Sequence, residues 1–254
     1  MAKKGKQETE YVKRFGWQFR IQHGTLALSV IVLILTGIPL WFNLGKPGHI
    51  WLSQEEFGIF GDIEIYRQIH KIAGVVLTIV AIYHLLYLAL SREGRREFRE
   101  LFPRIKDGID LMQNMMYFFG LRKQRPKFGR FTYYEKFDYW AVYWGVVIMV
   151  GTGLALWFPG VPAKYFPWLT FGLALEVHAD EALLAAMAIF IWHFYNVHYN
   201  PSRFPGTLLW YHGKISKDEM MHEHSLEYAE MMKAEIEEAE EEEEAEAEAA
   251  VDEE

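Results

Sequence analysis

The 254 residues include no cysteine. This excludes disulfides, thiolate-bound iron–sulfur clusters and thioether-linked haem on this chain, so any iron must be held by His or Met. It does not specify a compartment. Charge is also nearly missing along four stretches of about 20 residues each, the length of helix that spans ~30 Å of hydrocarbon. The overall apolar share of 51% is close to that of a soluble chain and decides little; the clustering decides. The net charge of −8 is misleading, because most of the excess acid sits in the tail from Glu235 to Glu254. Without that tail the chain is basic.

The charge-poor stretches predict an all-α, four-transmembrane-helix bundle with spans at about 19–42, 68–90, 139–158 and 175–199. A segment at 1–18, a membrane domain at 19–200 with a loop at 91–138, and a segment at 201–254 with an acidic tail complete the division. The first span is too long for the apolar region of a signal peptide and has no small-residue cleavage site, so it reads as structure. Trp41, Trp51, Trp140, Trp157, Trp168 and Trp210 lie near the expected interfaces, as an aromatic belt would place them.

Lys and Arg predict the orientation. Lys3, Lys4, Lys6, Lys13, Arg14 and Arg20 precede or open the first span, and twelve more basic residues lie between Arg92 and Lys136. The other two loops hold only Lys46, Arg67 and Lys164. The positive-inside rule places both termini and the middle loop in the cytoplasm. Within that loop, 104–121 has apolar residues at helical spacing, which fits either a helix lying on the membrane surface or a plain amphipathic connector. The Glu/Ala-rich tail has no apolar face and reads as a solvated segment.

Five of the ten histidines fall within the spans: His23, His70, His84, His178 and His193. Ionisable groups in a bilayer are costly and usually functional. His70 and His178 open spans that descend from the outer side. His84 follows His70 at i+14, and His193 follows His178 at i+15. At the helix rise, both are about 21–22 Å deeper. His23, near the cytoplasmic start of the first span, falls on the inner level. Two levels of histidine fit two stacked haems with bis-histidine ligation, which pass electrons and leave no open iron position. Ala27, Gly74 and Ala182 lie at i+4 from His23, His70 and His178, where a flat porphyrin must pass.

The chain resembles the cytochrome b (gamma) subunits of membrane-bound formate dehydrogenases, a group that includes the b-type subunits of nickel–iron hydrogenases and thiosulfate reductases. The resemblance covers about 11–230. It rests on Arg20-Ile21-Gln22-His23 and Leu35-Thr36-Gly37, on His70 with Gly74, and on Lys136-Phe137-Asp138-Tyr139-Trp140 leading to Thr152-Gly153 and Tyr165-Phe166-Pro167. It continues through His193-Phe194-Tyr195 to Gly213-Lys214-Ile215-Ser216 and His224. It implies that His70 and His178 hold an outer haem, and His23 and His193 an inner one. There are two departures. The family's two histidines on the fourth span stand at i and i+14, and the extra residue here turns one ligand by about 100°. The family also has no need of His84, which competes with His23 as the partner of His193. A His70/His84 and His178/His193 set would leave His23 to line a quinone pocket; a third alternative is that His84 supports an extra haem or bonds to the quinone.

The resemblance implies a membrane anchor of a respiratory oxidoreductase complex in a prokaryotic inner membrane. Electrons would pass between a periplasmic iron–sulfur or multihaem cytochrome c subunit and a menaquinone or ubiquinone near the cytoplasmic side. No nucleic-acid partner is expected. The quinone region corresponds to Thr132, Tyr133, Tyr134, Glu135 and Lys136, where Tyr134 and Glu135 would hydrogen-bond or relay protons; the alternative is an interfacial turn with an aromatic anchor. Arg67, Lys71 and Lys164 are candidates for propionate pairing, with snorkelling the simpler reading for Lys71. The outer loops are too short for a catalytic domain, so substrate chemistry would belong to another chain. Two other classes compete: a haem-free proton or ion transporter using buried His, Asp and Glu, and a stand-alone quinol or metal reductase. The internal repeats and broken helices of transporters are not apparent from the sequence.

Overall fold

The computed structural model describes residues 10–43, 62–200, 203, 204 and 206–252. Lys3, Lys4, Lys6, Lys46 and Trp51 lie outside the described residues. Among the described residues, the regular elements are helical apart from one two-stranded ladder. In order they are β1 (Tyr11–Lys13), α1 (Trp17–Asn43), α2 (Ile63–Leu90), α3 (Arg92–Leu101), α4 (Ile105–Phe118), α5 (Tyr133–Trp157), α6 (Gly160–Tyr165) and α7 (Phe171–Met187). Then follow two π-helical stretches (Ala188–His193 and Tyr195–Tyr199), α8 (Leu209–His212), β2 (Lys214–Ser216), α9 (Lys217–Glu223) and α10 (Ser225–Asp252). They fall into two compact units. One contains 1–14, 99–137 and 214–254; the other contains 15–98 and 138–213.

In the second unit, α1, α2 and α5 are long and apolar enough to cross a membrane by length and composition. They carry large exposed apolar side chains, such as Leu28, Leu35, Ile79 and Leu86, which water would not favour and lipid would. Asp62 opens α2 by accepting a hydrogen bond from Glu64 N, and Thr170 opens α7 by accepting one from Leu173 N. The segment expected as the fourth span is helical from Phe171 to Tyr199, but the α-helix gives way to π turns at Ala188. Glu176, Asp180 and Glu181 also interrupt its apolar character. It therefore differs in kind from the other three.

The first unit is built around the ladder. Tyr11 pairs with Ser216, Val12 with Ile215 and Lys13 with Lys214, with Ile215 buried beneath. The tail motif at 213–216 is thus a strand. His224, 1% exposed, donates from Nδ1 to Gly129 O at 2.9 Å. Arg14 and Arg130 both donate to Glu227, at 2.7 and 2.6 Å, and Arg130 also donates to Arg14 O at 2.9 Å. Such charges tolerate burial because each finds an opposite charge or a carbonyl. In α4 the usual polarity is reversed: Asp110 and Asn114 are buried, while Ile105, Met112 and Phe118 are exposed. Asn114 donates to the Tyr133 hydroxyl at 2.8 Å. The acidic tail, which reads from sequence as a solvated segment, is helical within α10 as far as Asp252.

Candidate functional site

Each span histidine is fixed by a hydrogen bond from a neighbouring helix, with one exception. On α1, the Thr36 hydroxyl donates to Val32 O at 2.7 Å and lies 2.8 Å from His70 Nδ1. A hydroxyl has one proton, and Thr36 has given it to its own helix. Towards His70 it accepts, so the ring proton sits on Nδ1 and Nε2 presents its lone pair. On α5 the same arrangement recurs. The Thr152 hydroxyl donates to Ile148 O at 2.7 Å and lies 2.9 Å from His178 Nδ1.

The next residue in each case is a glycine against the same ring. A Cβ on Gly37 would meet His70 Cε1 at 3.4 Å, and one on Gly153 would meet His178 Cε1 at 3.3 Å. Gly74, one turn beyond His70, has open space where a Cβ would stand. The rings of His70 and His178 lie edge to face, with centroids 6.2 Å apart and planes inclined by 68°.

At the other level, His193 Nδ1 donates to Asp138 Oδ2 at 2.9 Å. Its ring lies 6.4 Å from that of His23, inclined by 33°. His23 stacks on Phe19 at 6.0 Å and lies 6.4 Å from Trp210. Its Nδ1 is buried without a hydrogen-bond partner among the described residues. His84 differs from the other four, because both of its nitrogens are taken. Nδ1 lies 2.8 Å from Gln22 Oε1, and Nε2 lies 3.0 Å from the Tyr139 hydroxyl. The structure therefore brings His23, not His84, to His193.

These bonds reveal an internal repeat that is not apparent from the sequence. Thr36 stands at i+14 from Gln22 on α1, and Thr152 stands at i+14 from Asp138 on α5. Each pair holds the two histidines of the following descending helix. The surviving sequence signal is Thr36-Gly37 followed by Leu40-Trp41-Phe42, matched by Thr152-Gly153 followed by Leu156-Trp157-Phe158. Under this repeat His70 corresponds to His178, His84 to His193, and His23 to Tyr139.

The repeat also accounts for the odd spacing. His84 stands at i+14 from His70 in unbroken α-helix, whereas His193 stands at i+15 from His178 across the π stretch Ala188–His193. A π turn closes on i→i+5 and absorbs one extra residue. The added rotation expected from sequence is cancelled locally, and His193 meets Asp138 as His84 meets Gln22.

The donor set suits a metal-centred planar cofactor. An imidazole nitrogen bonds a transition metal at about 2.0–2.1 Å, so two rings on opposite sides of one metal have centres about 6 Å apart. Both ring pairs have this separation, and Gly74 leaves room beside one of them. Among the described residues there is no cluster of three or more His, Cys, Asp or Glu that could hold a bare metal ion.

Tyr134 and Glu135 belong to the other compact unit. The Tyr134 hydroxyl donates to Glu223 Oε2 at 3.3 Å. Glu135 closes a capping box on α5: Thr132 N donates to Glu135 Oε2 at 2.9 Å, and Glu135 N donates to Thr132 Oγ1 at 3.2 Å. Arg67 pairs with Glu64, Lys71 lies over the Trp157 ring at 5.3 Å, and Lys164 lies over the Tyr165 ring at 5.0 Å. Glu181 reaches α5, where a Cβ on Gly145 would meet its Oε1 at 3.0 Å.

A family model described as prokaryotic cytochrome b561 matches residues 14–209, a range that includes all five span histidines. No curated protein matches the chain.

Proposed function

The chain belongs to the prokaryotic cytochrome b561 family, membrane cytochromes b of the hydrogenase and formate dehydrogenase type, and from that premise we propose that it carries electrons across the membrane through two b-type haems. His70 and His178 would hold the outer haem, and His23 and His193 the inner one. The observation that carries this reading is the two imidazole pairs with ring centroids 6.2 and 6.4 Å apart. The segment from Phe171 to Tyr199 serves as the fourth span, with Lys and Arg holding both termini and the middle loop in the cytoplasm.

A haem with two imidazole ligands supplies reversible one-electron transfer without an open coordination site. The chain supplies the rest. Thr36, Thr152 and Asp138 keep the ring proton on Nδ1 of their histidines and point Nε2 inward. Gly37 and Gly153 let the outer imidazoles approach their helices. The lipid-facing apolar surface of α1, α2 and α5 keeps water from the ligand pairs.

The chain acts as the membrane anchor of a respiratory complex. It exchanges electrons with a periplasmic iron–sulfur or multihaem subunit at the outer level and with a menaquinone or ubiquinone at the inner level. The quinone head group is assigned to the start of α5, at 132–136. Tyr134 and Glu135 already have protein partners there, so they shape that site through the Glu223 contact and the helix cap.

The test is a haem-to-protein ratio and visible spectrum of the purified chain. Two haems are expected, with one lost in His70→Ala, His178→Ala, His23→Ala or His193→Ala. A chain without a b-type α-band would sink the reading and leave a haem-free transporter in its place.

A further inference from the structure

We propose that Asp138 is a positioning residue that holds the inner haem at a lower potential than the outer one, through the charge it places on His193. The proposal rests on the ligand assignment above. The four ligand histidines are not supported alike. His70 and His178 donate to neutral hydroxyls at 2.8 and 2.9 Å, and His23 Nδ1 has no partner among the described residues. Among the described residues, His193 alone of the four donates to a carboxylate, at 2.9 Å.

The internal repeat provides a control within the molecule. Gln22 occupies the place of Asp138 in the first hairpin and reaches His84 Nδ1 at 2.8 Å, almost the same distance. A neutral amide is therefore enough to orient an imidazole at this position. The negative charge of Asp138 is not needed to hold the ring, so it does something else.

A carboxylate hydrogen-bonded to the far nitrogen of a metal-bound imidazole makes that ligand more basic. A more basic ligand, with a fixed negative charge behind it, stabilises the ferric form over the ferrous form and lowers the reduction potential. Hydrogen bonding to the ligand and local charge are recognised levers on haem potential. The hydroxyls of Thr36 and Thr152 carry no charge and make no such demand on the outer pair. Asp138 is thus a source of inequality between the two levels that Thr36 and Thr152 do not match.

The test is a redox titration of the purified full chain, followed in the α-band, for wild type, Asp138→Asn and Asp138→Glu. In the wild type, two one-electron components are expected. In Asp138→Asn the lower component should rise by at least a tenfold change in its equilibrium constant, which is about 59 mV for one electron, with the upper component fixed and two haems retained. Asp138→Glu should keep the wild-type order. The proposal is overturned if neither component moves in Asp138→Asn, if the upper one moves instead, or if Asp138→Asn loses a haem that Asp138→Glu keeps. His193→Ala separates the two layers of argument. If it keeps both haems, the ligand assignment itself is wrong, whatever Asp138→Asn shows.

Discussion

His84 Nε2 and the Tyr139 hydroxyl meet at 3.0 Å between α2 and α5, at the position where the repeat places His193 opposite His23. The phenol occupies the ring nitrogen that a metal would need. His84→Ala is therefore expected to keep both haems, and His23→Ala to lose one. Haem-to-protein stoichiometry of the two purified variants checks this. Retention of both haems in His23→Ala would return His84 to the ligand set.

Thr152→Val keeps the shape of the side chain and removes the acceptor from His178 Nδ1. It leaves the His178 N–H with the Met149 carbonyl alone as its partner, a loss of about 0.5–1.5 kcal/mol. Loss of a supporting group of this kind typically weakens metal affinity about 10–100-fold. Thr152→Val and Thr36→Val should each shed the outer haem more readily during purification, and Thr→Ser at either position should restore it. Equal retention by the valine and serine variants would show that the hydroxyls are only packing.

The pairing of His70 with His178 and of His23 with His193 can be anticipated from the sequence, because histidine spacing follows the helix rise. The hydrogen-bond partners of the histidines cannot. In sequence, Thr36 and Thr152 look like ordinary residues near the ends of apolar spans, and Asp138 like part of a motif. Their roles depend on which helix lies beside which, and spacing along one helix cannot show that. The repeat is hidden because its two copies differ by one residue in the descending helix and share few identities beyond Thr-Gly and Leu-Trp-Phe. The longer interval from His178 to His193 stands out in the sequence, but only the π turns explain why it causes no misalignment.

Those turns make a length prediction. Deleting Ala188 should convert the π stretch to α-helix and leave His193 beside Asp138, so the variant should retain two haems. Inserting an alanine after Ala188 has no such escape and should cost the inner haem. The two spectra, compared at equal protein, decide it. The reverse pattern would mean that the π stretch has another cause.

The family resemblance places Glu135 at a quinone site, yet its carboxyl closes the cap of α5. Glutamine completes the same capping box. Glu135→Gln should therefore leave thermal stability and quinone-coupled electron transfer close to wild type, whereas Glu135→Ala should cost about 1 kcal/mol of stability. A severe loss of quinone reduction in Glu135→Gln with unchanged stability would restore a proton-relay role.

In α4, Asp110 and Asn114 turn inward while Met112 and Phe118 turn outward. This is the polarity of an element solvated by lipid on its outer side. The absence of native cysteine allows a single label at Met112→Cys. In bilayers that label should report an apolar environment and be quenched by lipid-borne nitroxide. A water-like spectrum there would favour the plain connector.

The repeated hairpin also implies a history. A single rising-and-falling helix pair that carried the Thr-Gly step, a ring at the His23 position and two histidines at the His70-to-His84 interval could associate with an identical copy. On the axis between the copies, such a dimer would form one shared ring pair, of the kind now made by His70 and His178. Away from that axis it would form two equal pairs. Fusion into one polypeptide freed the halves to diverge. One off-axis pair is now His23 with His193, and the other has become His84 with Tyr139. The two halves remain alike at His70 and His178 and differ at His23 and Tyr139.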